Sequence, residues 1–346
     1  MGGELLDFRS DTVTHPTAAM RAAMAEAAVG DDVFGEDPTT IRLQATVAEM
    51  LGKEAALYAP SGTMTNLIGV RLHCKPGDEM LCEVGCHILN YEQAGYAQLS
   101  GVAVRTVQGH YGVAELDQFE GLIRTDTIHQ PRTRAVCLEN THNRGGGKIQ
   151  PYPTVEAICR WAYENELRTH LDGARLFNAV VATQIEASRW ASHFDTVSVC
   201  FSKGLGAPVG SALAGPRDLI EEAVRHRKVL GGGMRQCGVL AAAALYALEH
   251  HVERLASDHH HAQQLAAGIA DIEELELTPE QIDTNLLFFR VDENQGTAAE
   301  FCTRLQQRGL LMLPTARQTV RAVTHLDVDG SDVQRAIAAL KDACRK

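Results

Sequence analysis

The chain has 346 residues, 45% of them hydrophobic and 22% charged, which are ordinary globular proportions and enough length for one large core with a smaller companion. A formal net charge of -12, from 32 basic and 44 acidic side chains, argues against a general nucleic-acid surface but leaves room for a locally basic pocket that binds phosphate. Nine cysteines without a CxxC pair, no charged-then-apolar leader, and an apolar run (Gly238 to Leu248) too short to cross a bilayer lead us to expect a cytoplasmic protein with no membrane partner.

Residues 5–14 are too polar for a core strand and lack a helical period, so an extended arm is expected. Pro16 then opens an Ala- and Met-rich helix to about Ala28. The carboxylate-rich stretch from Gly30 to Pro38 reads as a solvated loop, followed by a helix from about Thr40 to Leu51. A strand over Ala55–Ala59 leads into Ser61-Gly62-Thr63 at a helix start. There, backbone N–H groups and the positive end of the helix dipole suit an anion, although an ordinary Ser/Thr cap is the commoner meaning of such a stretch alone.

Strand patterns follow at Glu79–Glu83, ending near His87, then at Val102–Val107 and at Arg134–Leu138, which runs into Glu139-Asn140-Thr141-His142-Asn143. A helix from Thr154 to Glu166 precedes the strand Arg168–Leu171 and its end, Asp172-Gly173-Ala174-Arg175. The next strand, Val197–Phe201, delivers Ser202-Lys203-Gly204. Strands alternating with helices imply an α/β fold with a mainly parallel sheet, in which ligands sit at the carboxyl ends of strands. Taken alone, Lys203 reads as a surface lysine at a strand end more readily than as a buried, nucleophilic amine.

The Gly/Pro-containing run to Gly215 suggests a further strand pair, before a basic helix from Leu219 to Lys228 and a long helical stretch ending near Ala270. His259, His260 and His261 lie within that stretch; consecutive helical positions diverge, so no metal is expected and a solvated face is. The remainder predicts a small α+β unit with strands at Asn285–Val291 and Val320–His325 and helices at Thr297–Arg308 and around Val333, Ile337 and Leu340. The expected divisions are an arm (1–14), a large domain (15–254) and a small domain (255–346).

Each polar feature is weak alone, but together they suit pyridoxal 5'-phosphate. Its phosphate needs N–H donors, its aldehyde a lysine, and its ring nitrogen a carboxylate that keeps it protonated. On these residues the chain resembles the L-threonine aldolases, low-specificity or L-allo-threonine. The resemblance is carried by Asp7-Phe8-Arg9-Ser10-Asp11-Thr12-Val13-Thr14, the Gly30 to Pro38 loop, Pro60-Ser61-Gly62-Thr63, Leu138 to Asn143, His170-Leu171-Asp172-Gly173-Ala174-Arg175, Ser202-Lys203-Gly204-Leu205, Gly231 to Gln236 and Arg321 through Leu326.

The resemblance implies a fold-type-I architecture like aspartate aminotransferase, with a mainly parallel seven-stranded sheet flanked by helices and a smaller C-terminal α+β domain. It also implies that Lys203 bonds the cofactor aldehyde, Asp172 pairs with the ring nitrogen, and His87 stacks on the ring. Ser61, Gly62 and Thr63 would hold the phosphate, with Arg235 reaching it from a neighbouring subunit of a homotetramer that shares its active sites. Ser10, Arg175 and Arg321 would bind the substrate carboxylate, Arg175 also lying near the cofactor's phenolic oxygen. The implied reaction is retro-aldol cleavage of threonine-like β-hydroxy amino acids to glycine and an aldehyde, with His87, His129 or a water as base. Phe34 stands where many relatives carry Tyr, and the preference among threonine, allo-threonine and phenylserine is open. A β-eliminating lyase or an aminotransferase of the same fold is the alternative.

Overall fold

The computed structural model describes residues 5–345, beginning with a two-residue strand, β1 (Leu6–Asp7). The large sheet comprises β2 (Ala55–Ala59), β3 (Glu79–Glu83), β4 (Ala103–Val107), β5 (Thr133–Glu139), β6 (Arg168–Gly173), β7 (Thr196–Cys200) and β8 (Ser211–Gly215). Its seven strands run in the order β2-β8-β7-β6-β5-β3-β4, and β8 is antiparallel to both of its neighbours. The reversal has a local cause: the Gly/Pro-rich connection 201–210 holds no crossover helix, so the chain turns back on itself, and Gly210 C=O accepts from Phe201 N–H at 3.0 Å. One strand therefore stands where the sequence suggested a pair. Strands β3, β7 and β8 are buried throughout, Glu79, Glu83, Thr196, Ser198 and Ser211 included, as expected where helices cover both faces of a sheet. Parallel register aligns Glu139 with Asp172 and Asp172 with Ser198, so Glu139, Asp172 and the turn carrying Lys203 emerge along one edge.

A second sheet follows, built from β9 (Leu275–Leu277), β10 (Leu286–Val291), β12 (Leu313–Pro314) and β13 (Thr319–Val323) in the order β12-β13-β10-β9, while β11 (Leu310–Leu311) pairs in parallel with β1. The N-terminal arm is thus stitched to the C-terminal unit. Phe8 is fully buried in the smaller core beside Phe289, Phe301 and Leu340, while Trp190, Tyr58, Phe119 and Phe201 fill the larger one. Leu255 belongs to the larger core, and Ala262, Leu265 and Ile269 of the same helix (Leu255–Ala270) belong to the smaller. We propose that this helix marks the domain boundary near residue 255. No described helix is long and apolar enough to cross a membrane.

Two expectations are corrected. The histidine run is not wholly a solvated face: His259 is buried, its Nε2 3.2 Å from Asn178 Nδ2, because its helix packs against Leu176–Thr183. The segment 30–38 is not simply a solvated acidic loop either. Asp32 pairs with the buried Arg227 at 2.7 Å, and Asp37, fully buried, accepts from the backbone N–H groups of Gly30, Thr40 and Gly238 at 3.2, 2.9 and 2.9 Å. One carboxylate thereby caps one helix and pins the start of another. Burial alone would raise its pKa, and the three donors overcome that and hold it below the ordinary value, so its stabilisation is present at neutral pH and is lost as pH falls through the carboxylate range. Asp37→Ala should lower unfolding free energy by about 3 kcal/mol, because three buried donors lose their acceptor; urea unfolding at neutral pH measures it.

Candidate active site

The helix Gly62–His73 begins directly after β2, capped by Ser61, whose Oγ accepts from Met64 N–H at 3.2 Å. The cap therefore forms as the commoner reading expected, and it leaves the first-turn N–H groups of Gly62 and Thr63 without acceptors among the described residues. Gly62 is required by packing, since a Cβ there would lie 2.6 Å from Cys200 Sγ. Thr65 Oγ1 and Ser198 Oγ, 2.6 Å apart, tie the helix to β7.

Asp172, at the end of β6, is 2% exposed. Its Oδ1 accepts from Ala174 N–H (3.1 Å) and its Oδ2 from Asn66 Nδ2 (2.8 Å), and the same amide donates to Glu92 Oε1 at 2.9 Å. With both Nδ2 protons directed at carboxylates, Asn66 Oδ1 must accept from His170 Nε2 at 3.2 Å. His170 Nδ1 is then an acceptor for Thr196 Oγ1 (2.8 Å), whose own oxygen accepts from His73 Nε2 (2.7 Å). Every donor in this buried chain points towards Asp172 and Glu92, so the network ends on two acceptors brought together at one amide. Burial lowers the pKa of His170 to about 4 and that of His73 likewise downward, so both rings remain neutral relays.

His87 opens a four-residue helix, His87–Asn90, after β3. Its backbone N–H donates to Glu139 Oε2 (2.6 Å), and its Nδ1 lies 2.8 Å from Glu92 Oε1, leaving Nε2 for chemistry. Burial pulls the His87 pKa down, but the Glu92 hydrogen bond and the charges of Asp172, Glu92 and Glu139 outweigh it, and the pKa is raised. Tyr91 stacks near this ring with centroids 5.4 Å apart.

The arm supplies the opposite side. Asp11 is fully buried and holds Arg175 through two bonds, Nε to Oδ2 at 2.8 Å and Nη2 to Oδ1 at 2.7 Å. Burial opposes ionisation of Asp11, yet Arg175 and Lys203 hold its carboxyl far below the usual range. Asn143 Oδ1 faces Arg175 Nη1 at 3.4 Å and Arg321 Nη1 at 3.3 Å. Arg321 also donates to Arg9 C=O at 3.1 Å, and its buried Nε has no partner among the described residues. Ser10 precedes the short turn Asp11–Val13 and accepts from Thr12 N–H. Thr14 Oγ1 donates to Lys203 C=O at 3.1 Å, fastening the arm to the lysine turn. Lys203 is half-buried, and its amine has no hydrogen-bond or ion-pair partner among the described residues.

The fold thus converges Ser61, Gly62, Thr63, His87, Asp172, Arg175, Lys203 and Arg321, with Ser10 alongside. His129 is not brought there. It sits exposed in the loop before β5, at the amino edge of the sheet, whereas the cluster lies at the carboxyl edge. Arg235 is exposed and paired with Asp31 at 2.9 Å. Asp11, Asn66, Glu92 and Asn143 were not singled out from sequence. Asp11 and Asn143 lie inside motifs already quoted, but Asn66 and Glu92 take their meaning only from tertiary contacts.

The sequence model of the beta-eliminating lyase family matches residues 7–293. The low-specificity L-threonine aldolase of Escherichia coli (strain K12) is 43% identical over 330 residues, covering 94% of this chain and 95% of that protein. Low-specificity L-threonine aldolase 1 of Arabidopsis thaliana is 41% identical over 343 residues, covering 98% and 96%. Among solved structures, a Leishmania major threonine aldolase superposes with a TM-score of 0.83 over 97% of this chain and 99% of that one at 21% identity, and a Sphingomonas wittichii serine palmitoyltransferase with 0.75 over 98% and 87% at 18%, likenesses of fold. By a match that spans most of its length, this chain belongs to the beta-eliminating lyase family.

Proposed function

We propose that this protein cleaves L-threonine and related β-hydroxy-α-amino acids to glycine and an aldehyde with pyridoxal 5'-phosphate. The observation that carries the reading is the convergence of an unpartnered amine (Lys203), a buried carboxylate fed by a one-way donor chain (Asp172) and a free helix N-terminus (Gly62, Thr63) at one edge of the sheet. That donor set fits the cofactor's aldehyde, ring nitrogen and phosphate. When bound, the cofactor supplies an electron sink for the pair released from the Cα–Cβ bond.

The chain's own residues do the rest. Arg321 offers the α-carboxylate a guanidinium whose Nε is otherwise unsatisfied. Arg175 spends its Nε proton and one Nη2 proton on Asp11 and sets Nη1 beside Asn143, so we assign it to orienting the site more than to gripping the substrate. Ser10 presents its hydroxyl from the arm. His87 Nε2 is the base for the β-hydroxyl proton, its ring fixed by Glu92. Because that role needs neutral imidazole, the acid limb of kcat/KM should follow the raised His87 pKa. Glu92→Gln should move that limb to lower pH; a limb that stays in place would shift the role to a water.

Subunit contacts are part of this reading. Val29, Val33, Phe34 (73% exposed) and Ile41 are exposed apolar side chains along the segment that also carries Asp31, the partner of Arg235, a surface we assign to a second copy, from which Arg235 or His129 would reach a neighbouring site in a homotetramer. All nine cysteines are free and buried, in keeping with a reducing cytoplasm. The test of function is incubation with L-threonine, L-allo-threonine and L-phenylserine, following glycine and aldehyde. Absence of glycine from all three would refute it.

A further inference from the structure

Adjoining the cluster is a cleft of about 480 Å³ that shares Asn143 and Arg321 with it. Tyr91, beside His87, lines its inner wall. Four of the side chains around this cleft are arginines (Arg144, Arg290, Arg317 and Arg321), and among the described residues no acidic one lines it, in a chain with 44 acidic side chains and a net charge of -12.

The clustering follows from the small sheet. In the antiparallel pair of β10 and β13, Phe288 lies opposite Arg321 and Arg290 opposite Thr319, so Phe288, Arg290 and Arg321 share one face by the two-residue period. The other face carries Leu287, Phe289, Val320 and Ala322 into the smaller core. Arg290 therefore stands one pair further out along the cleft than Arg321. Arg317 comes from the turn just before β13, and Arg144 from the large domain's loop across the cleft, where its one side-chain bond is to Asn90 at 3.3 Å. Arg290 and Arg317 are exposed and bonded to no carboxylate among the described residues. Like charges converge here without compensation, which is unfavourable unless an anion enters.

The substrate's α-carboxylate accounts for Arg321 and leaves three guanidiniums, for which a methyl group on Cβ offers nothing. Resting on the reaction proposed above, we infer that the preferred substrates are β-hydroxy-α-amino acids whose Cβ carries an anionic group, 3-hydroxyaspartate being the simplest. Its cleavage breaks the Cα–Cβ bond, passes the β-hydroxyl proton to the base, forms the aldehyde C=O of glyoxylate and returns one proton to Cα to give glycine. No oxidant or further reactant is needed.

The test compares kcat/KM for L-3-hydroxyaspartate and L-threonine in the holoenzyme and in the double variant Arg290→Gln/Arg317→Gln. The exposed arginines are replaced by neutral side chains, and threonine turnover controls for folding. The expected result is a preference for hydroxyaspartate that falls about tenfold in the double variant and weakens with salt, while threonine changes by less than about twofold. An unchanged preference, or none in the parent, overturns the inference and leaves the aldolase reading intact. If neither substrate is cleaved, the aldolase reading fails, and the cleft is judged by binding. L-Aspartate should then perturb the cofactor's visible absorbance at lower concentration than L-alanine, an advantage lost in the double variant. Equal affinities would overturn it.

Discussion

Lys203→Ala is expected to reduce turnover at least about a thousandfold and to abolish the visible absorption band of the lysine-bound cofactor, while leaving the apo fold intact. The separation follows from its surroundings. The amine has no partner among the described residues, and the side chain is half-buried, so its removal strands no buried charge and should change apo stability by less than about 0.5 kcal/mol. The backbone at that position does the structural work, accepting from Thr14 Oγ1 and from Gly206 N–H, and alanine preserves both bonds. Three other described lysines are placed elsewhere. Lys53 is bonded to Phe194 C=O, Lys148 to Asp283, and Lys228 lies near the end of the helix Arg217–Val229. Glycine release from L-threonine, the absorbance of the reconstituted protein and urea unfolding of the apo form check the three parts. Near-parental turnover in the variant would remove Lys203 from the chemistry.

The same lysine shows what could be read before the structure. On its own strand it looked like a surface residue, and it is half-buried; what reversed the reading was the company of Asp172, His87 and the helix start, all at strand ends. Strand-end chemistry is legible because β-branched runs and their polar or glycine termini are local signals, and five of the sheet's strands (β3 to β7) then follow the parallel rule without exception. Reversal of β8 is not local in that sense. A Gly/Pro run permits several connections, and only pairing with both β7 and β2 selects one. Likewise His259 and Asp37 were read as solvated because polarity along the sequence says nothing about which helix will cover it. Asn66 and Glu92 carry no motif at all; their importance lies in two hydrogen bonds from one amide to two carboxylates brought together from separate elements.

Arg175→Gln is expected to lower stability at neutral pH by about 3–5 kcal/mol, more than any change to an exposed ion pair of this protein, because it leaves the Asp11 carboxylate buried without its partner. Asp11→Asn leaves a buried guanidinium instead and should be similarly harmful, whereas the double variant should recover part of the loss. The pH dependence has a definite sign. In the parent the Asp11 pKa is held well below its unfolded value, so the pair contributes fully above the ordinary carboxylate pKa and progressively less as pH falls towards the depressed one. In Arg175→Gln the burial that now dominates raises the Asp11 pKa, and protonation relieves the stranded charge. The deficit of the variant should therefore shrink between neutral pH and about pH 4, where unfolded aspartate begins to protonate. Urea midpoints of the apo forms at both pH values measure this, and a deficit independent of pH would show that Arg175 stabilises through packing rather than through Asp11. Activity separates the roles further. Since Arg175 is anchored to Asp11 through Nε and one Nη2 proton and faces Asn143 through Nη1, its loss should reach the substrate through displacement of Asn143 and the arm. Asp11→Asn, which keeps the arginine, should then raise KM for L-threonine as well.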